Sequence, residues 1–208
     1  MIFVERNRLV PPLLIPNDQY YNNQWHLPKI SAPAAWDITT GNTAHIIAIL
    51  DTGVNPTHQD LANKLVPGYN FYNNTTDTTD DYGHGTKVAG AAAAIANNIT
   101  GVASPAWVNK IMPIKISAPD GRAYYSDIAT GLIWAADHGA KIANMSYSGM
   151  ARSSTIISAA KYFRNNGGVV FAGAGNCSCY DSTAETTAMI IHARTPWTFF
   201  DKCVIQIL

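Results

Sequence analysis

Four short apolar runs punctuate this chain, and the segments between them have the texture of helices. The runs are Ala44–Leu50 (AHIIAIL), Lys110–Ser117 (KIMPIKIS), Lys141–Met145 (KIANM) and Val169–Ala172 (VVFA). Near-continuous apolar character over so few residues suits strands buried on both faces. Between them, Thr86–Ala96 is small and alanine-rich, which suits a closely packed helix. Ser126–His138 sets Ile128, Leu132, Ile133 and Ala136 on a helical period, with Ser126 as the expected cap and Gly139 as the stop. Ser153–Asn165 reads as a further helix closed by Gly167 and Gly168. Strands that alternate with helices have few solutions, because a parallel neighbour is reached only by a crossover on one face of the sheet. The expected fold is therefore α/β: a doubly wound, mostly parallel sheet with helices on both faces. Pro113 sits awkwardly in the second run, since it cannot donate to a ladder. Residues 1–30 and Asn70–Asp81 lack periodicity and read as loops.

In such sheets, ligands bind beyond the carboxyl ends of the strands. Asp51, Ser146 and Asn176 all follow strands at that end. A carboxylate closing a buried strand costs desolvation unless a donor meets it, and a histidine is the natural partner for acid–base work. His84, in Gly83-His84-Gly85-Thr86, opens the alanine-rich helix and is the candidate.

Composition narrows the field. Formal net charge is zero, with 14 basic and 14 acidic residues scattered along the chain, so no nucleic-acid face is expected. No apolar run is long enough to cross a bilayer, and Met1–Leu14 carries Glu5, Arg6 and Arg8 where a signal peptide needs an apolar stretch. The three cysteines, Cys177, Cys179 and Cys203, fit neither a disulfide framework nor a zinc site.

Taken in order, the motifs resemble the subtilisin family, and within it the thermitase-like members. The residues that carry this are Ile49-Leu50-Asp51-Thr52-Gly53-Val54, His58-Gln59-Asp60-Leu61, Gly83-His84-Gly85-Thr86, Val88-Ala89-Gly90, Asn97-Asn98, Gly101-Val102-Ala103, Asn144-Met145-Ser146 and Ala172-Gly173-Ala174-Gly175-Asn176. The resemblance implies a serine endopeptidase with an Asp-His-Ser triad, in which Asp51 orients His84 and His84 is the general base. It gives Asn176 the role of oxyanion-hole donor. It makes Ser146, Tyr147, Ser148 and Gly149 one wall of the primary specificity pocket, and Ala172, Gly173 and Ala174 the other. Gly121 and Tyr124 fall in the edge segment 121–125, which would pair with an extended substrate. It implies a structural calcium ion held by Asp18, Asp60, Asn98, Thr100 and Val102. A further calcium in loop 70–81 would meet Asn70, Asn73 and Thr75 where aspartates are expected. Polypeptide substrates, the enzyme's own inhibitory propeptide and an extracellular location are also implied, with no nucleic acid or membrane partner.

The sequence departs from the family in places. Lys87 stands where a histidine is usual, and Tyr147 where a leucine is. The family's Gly-Thr-Ser-Met-Ala nucleophile motif is absent from these 208 residues. Three segments are expected: 1–15 as a propeptide remnant, 16–176 as the N-terminal part of a peptidase domain, and 177–208 as an atypical tail, possible product of a frameshift. The chain alone is then expected to be inactive. Two competing readings are a peptide-binding relative without catalysis, or a non-functional fragment, and an aspartic protease marked by Asp51-Thr52-Gly53. The last needs an all-β fold and a second Asp-Thr-Gly.

Overall fold

The computed structural model describes residues 13–147, 150 and 153–173, together with the backbone of 188–190 and 198–200. Five strands form one sheet: β1 (Ile46–Asp51), β2 (Tyr69–Asn70), β3 (Lys110–Lys115), β4 (Ala140–Met145) and β5 (Val169–Ala172). Their order is β2-β3-β1-β4-β5, and every pairing in this sheet is parallel. The doubly wound α/β expectation holds. From β1 the chain crosses to the edge strand β2, comes back inward to β3, and then crosses to β4 and β5 on the other side, so the reversal falls around β1. Asp51 closes that strand, at the place where such sheets bind ligands.

Both faces of β1 are buried, in alternation. Ala48 and Leu50 join Met112, Ile114, Ile128, Leu132, Ile156 and Phe163 beneath α4 (Tyr125–Asp137) and α5 (Ser154–Asn165). Ile47 and Ile49 face the other way, onto Val54, Leu61, Ala89 and Ala93, the last two from α3 (His84–Ala93). Each fully buried Leu or Ile here contributes about 1.5–3 kcal/mol by leaving water. Alanines on α3 let it lie close to the sheet, and that closeness matters at the site.

Pro113 is inside β3 after all. In a parallel strand alternate residues turn their backbone groups to the same side. Ile111 O accepts from Val66 N and Lys115 O from Phe71 N, so Pro113 between them faces the short edge. There β2 pairs only with Ile114 and Lys115, and no donor is missed. Gly68 packs instead against the Pro113 carbonyl, where an added Cβ would lie 1.8 Å from the oxygen.

The helix ends differ in detail from expectation. α4 begins at Tyr125, so Ser126 lies inside it and bonds Asp127 rather than capping the helix. Ser153 does cap α5, its hydroxyl accepting from Ile156 N at 3.3 Å. Segment 1–30 is not all loop, since a single helical turn at Tyr21–Asn23 and α1 (His26–Lys29) lie within it, with α2 (Ala32–Trp36) just after. They pack Leu27, Ala32 and Trp36 against Ala103 in a small separate cluster. Beyond Asn176, β6 (Ala188–Ile190) and β7 (Thr198–Phe200) pair antiparallel. No helix among the described residues is long and apolar enough to cross a membrane.

Candidate active site

Asp51 and His84 meet. His84 Nδ1 lies 2.8 Å from Asp51 Oδ1, although the residues are 33 apart in sequence. Asp51 is wholly buried, while the imidazole is about half exposed, with 47% of its side-chain surface accessible. An ionised carboxylate only accepts, so Nδ1–H donates to it and Nε2 is left as the basic nitrogen. Burial pushes the Asp51 carboxyl above its ordinary range, against the opposing effect of the His84 and Thr52 hydrogen bonds. Thr52 N donates to the same oxygen at 2.8 Å.

The close approach of α3 to β1 makes this possible. His84 is the first residue of α3, and Gly83 before it takes φ 88°. At Gly85 an added Cβ would lie 2.1 Å from Gly53 O and 3.1 Å from Asp51 Cβ. Only glycine lets the helix start touch the strand end.

Sequence reasoning missed a second carboxylate here. Asp80 Oδ1 accepts from Thr52 Oγ1 at 2.7 Å, Tyr82 N at 3.1 Å and Gly83 N at 2.7 Å. Its Oδ2 accepts from Thr86 N at 2.8 Å and from the Thr86 hydroxyl. Thr52 Oγ1 in turn accepts from Gly85 N at 2.9 Å. Burial alone would raise the Asp80 carboxyl, but hydrogen bonds from Thr86, Gly83 and Thr52 outweigh it and hold the group below its usual range. An aspartate four residues before the histidine was the only available signal, and it lay in a stretch read as loop.

The expected pocket residues that are described lie close by. Gly173 N donates to Met145 O at 2.9 Å, and a Cβ on Gly173 would touch the backbone of Ser146 and Tyr147. Ala172 and Tyr147 both pack against the larger core cluster. Ser146 Oγ accepts from Asn144 Nδ2 at 2.9 Å. The Tyr147 hydroxyl donates to Gly121 O at 3.3 Å, joining the wall to the edge segment. Burial, then the Asp51 charge, pushes that phenol up to about 12. The edge is a tight hairpin: Ser117 bridges Ala123, and Ala118 N donates to Arg122 O at 2.9 Å. Tyr124 beyond it is 70% exposed. Ser148, Gly149, Ala174 and Asn176 lie outside the described residues.

The expected calcium residues gather around loop 97–102. Asp60 Oδ1 accepts from Asn98 Nδ2 at 2.8 Å and Asp60 Oδ2 from Val102 N at 3.0 Å. Asp18 Oδ2 accepts from Asn97 N at 2.7 Å, while its Oδ1 is buried with no partner among the described residues. Thr100 N donates to Asn98 Oδ1 at 2.9 Å. Asn97, Ile99 and Gly101 all take positive φ, which winds the loop tightly. No group of three His, Cys, Asp or Glu side chains forms among the described residues. A hard cation can use carbonyl and amide oxygens instead, and the orphaned Asp18 oxygen fits such a ligand.

The family described as Peptidase_S8, Subtilase family, matches residues 42–197, a range that runs on past Asn176. The chain is 43% identical over 162 residues to Thermitase of Thermoactinomyces vulgaris, covering 77% of this chain and 58% of the relative. It is 41% identical over 175 residues to the Thermophilic serine proteinase of Bacillus sp. strain AK1, covering 84% and 44%. An Extracellular protease of Xanthomonas campestris pv. campestris is 30% identical over 216 residues, covering 83% and 37%. Among solved structures, one of proteases from Pseudoalteromonas arctica PAMC 21717 gives a TM-score of 0.71 at 33% identity, covering 77% of this chain and 59% of that one. The chain spans about half the length of the relatives it matches.

Proposed function

This chain belongs to the subtilase family, and from that premise we propose that it is the N-terminal part of a secreted serine endopeptidase acting on polypeptides. The observation that carries the reading is the 2.8 Å contact between a buried Asp51 and a half-exposed His84 at the carboxyl end of β1. Asp51 fixes the imidazole tautomer and stabilises its charged form, and His84 Nε2 takes the nucleophile's proton and returns it to the leaving amine. Asn176 is the proposed oxyanion donor. Ser146, Tyr147 and Gly173 would wall the pocket, and the edge around Gly121 and Tyr124 would take the substrate backbone as an added strand. No Gly-Thr-Ser-Met-Ala motif stands in these 208 residues, so we assign no nucleophile within them. We assign Asp18, Asp60, Asn98, Thr100 and Val102 to a calcium ion, which would supply fixed positive charge and rigidity to loop 97–102. A preceding inhibitory propeptide is the proposed folding partner.

The test has two parts. A serine-directed fluorophosphonate should leave the purified 208-residue chain unlabelled and should label the product of a reading frame that continues into Gly-Thr-Ser-Met-Ala. That frame is sought in the coding DNA downstream of Asn176. Its absence in every frame, with the present frame found in the transcript, would replace the enzyme reading with that of a peptide-binding relative.

A further inference from the structure

We propose that Asp80 is a positioning residue, the clamp that sets the distance between Asp51 and His84. This rests on the catalytic reading of that pair, though its test does not depend on turnover.

The two reacting side chains sit on different elements, so their spacing is set by how α3 docks on β1 rather than by either residue. Helix starts leave unpaired N–H groups, and α3 has no cap at its N-cap position, because Gly83 has no side chain to offer. Asp80 supplies the cap from outside the helix, taking Gly83 N and Thr86 N on separate oxygens. A capping residue alone would stop there. Asp80 also takes the hydroxyl of Thr52, the residue directly after Asp51, at 2.7 Å. Thr52 closes the loop by accepting from Gly85 N, the amide directly after His84. One carboxylate thus holds the immediate neighbours of both reacting residues. Charged hydrogen bonds are stronger and shorter than neutral ones, so this clamp is stiffer than a web of neutral contacts.

The alternatives for holding α3 are few. Apart from the Asp51–His84 bond and the Gly85 N–Thr52 Oγ1 bond, whose acceptor Asp80 itself orients, the glycine contact at Gly85 and the bond from Asn55 N to Thr86 Oγ1 at 3.0 Å are the other direct ties at this end among the described residues. The first is repulsive at shorter range, and the second reaches only the hydroxyl that Asp80 already orients. Removing the Asp80 charge therefore frees the helix start to move away from the strand end.

The experiment is proton NMR of the 208-residue chain with labelled histidine, reading the low-field Nδ1–H resonance of His84. The wild-type chain should show it, and its absence there would overturn the Asp51–His84 pairing itself rather than the role of Asp80. Asp80→Asn should lose the resonance or move it upfield, and Asp80→Glu should restore it in part. Thr52→Val provides the second variant: it cuts the tie to β1 and leaves the cap on Gly83 and Thr86 intact. It should also move the resonance, while hydrogen exchange at Gly83 and Thr86 stays as in the wild type. A resonance unchanged in Thr52→Val, or unchanged in Asp80→Asn while those two amides lose protection, would reduce Asp80 to a helix cap and overturn the proposal.

Discussion

Asp51 and Asp80 respond to acid in opposite senses, although they lie at the same corner of the sheet. Burial raises Asp51, so the folded chain keeps its proton to a higher pH than the unfolded chain does, and its contribution to stability falls as pH rises through the raised value. Asp80 is held low, so its contribution is complete above the ordinary value of 3.8 and disappears as pH falls through the depressed one. Urea melts of wild type and Asp80→Asn across the acid range should therefore differ most above pH 3.8 and converge below it. For catalysis, Asp51→Asn in the complete protease should lower kcat about 10,000-fold by leaving His84 in the wrong tautomer. Steady-state kinetics with an unchanged circular dichroism spectrum would check this. Asp51 and His84 were legible in the sequence because each stands at an abrupt change of texture, from apolar run to glycine turn and from glycine turn to helix. Asp80 was not. Its importance lies in partners 28 residues back and six ahead, and no local pattern encodes a hydroxyl reaching it from Thr52.

The elements bring these residues into register, and their tolerances can be tested one by one. Gly85→Ala should push α3 off β1, since its Cβ has 2.1 Å to the Gly53 carbonyl where ordinary contact needs well over 3 Å. The expected result is a lower melting temperature together with loss of the His84 low-field proton. Lys64 ties three carbonyls at the far end of α3: Ala106 O and Trp107 O at 2.8 Å each, and Ala94 O at 3.4 Å. Burial, then the charge of Lys110, pulls its amine down to about 7. Lys64→Met takes that donor from Ala106 O and Trp107 O, while Ala94 O keeps the Ser104 hydroxyl at 2.8 Å, and should cost about 1–3 kcal/mol in a denaturant melt. Four strands of the main sheet and the three main helices were readable from apolar runs, helical period and alanine content, because burial on one or both faces imposes them, whereas the two-residue β2 was not. The short helices α1 and α2 were not readable, since four or five residues hold barely one turn and give a period no room to repeat. Pro28 and Pro33 look like loop residues in a linear reading but sit in first turns, where the missing N–H has no partner to lose. Pro113 misled for a related reason: what decides its fit is the shortness of β2, which is not a property of its own run.

For the molecule as a whole, the proposed calcium site makes stability depend on solution composition. If calcium binds the folded chain alone, a hundredfold excess over Kd should stabilise it by about 2.7 kcal/mol. Melting with calcium against a chelator would measure the gain, and Asp60→Asn should abolish it. The proposed ligands could be picked out only through the family resemblance, because Asp18 and Asp60 are 42 residues apart and each bonds a different part of loop 97–102. The sheet order has a further consequence for how this protein is made. β1 is the first of the five strands to be synthesised, yet it lies at the centre, and its partners β3 and β4 begin only at Lys110 and Ala140. At about 5–20 residues per second, a ribosome leaves that apolar strand without either neighbour for several seconds. Its exposed edges are open to wrong pairing for that whole interval, and every correct partner must be recruited across a long loop, the slow class of search. Assistance during translation, from a chaperone or a covalently attached template, would act most strongly on the strand that ends in Asp51.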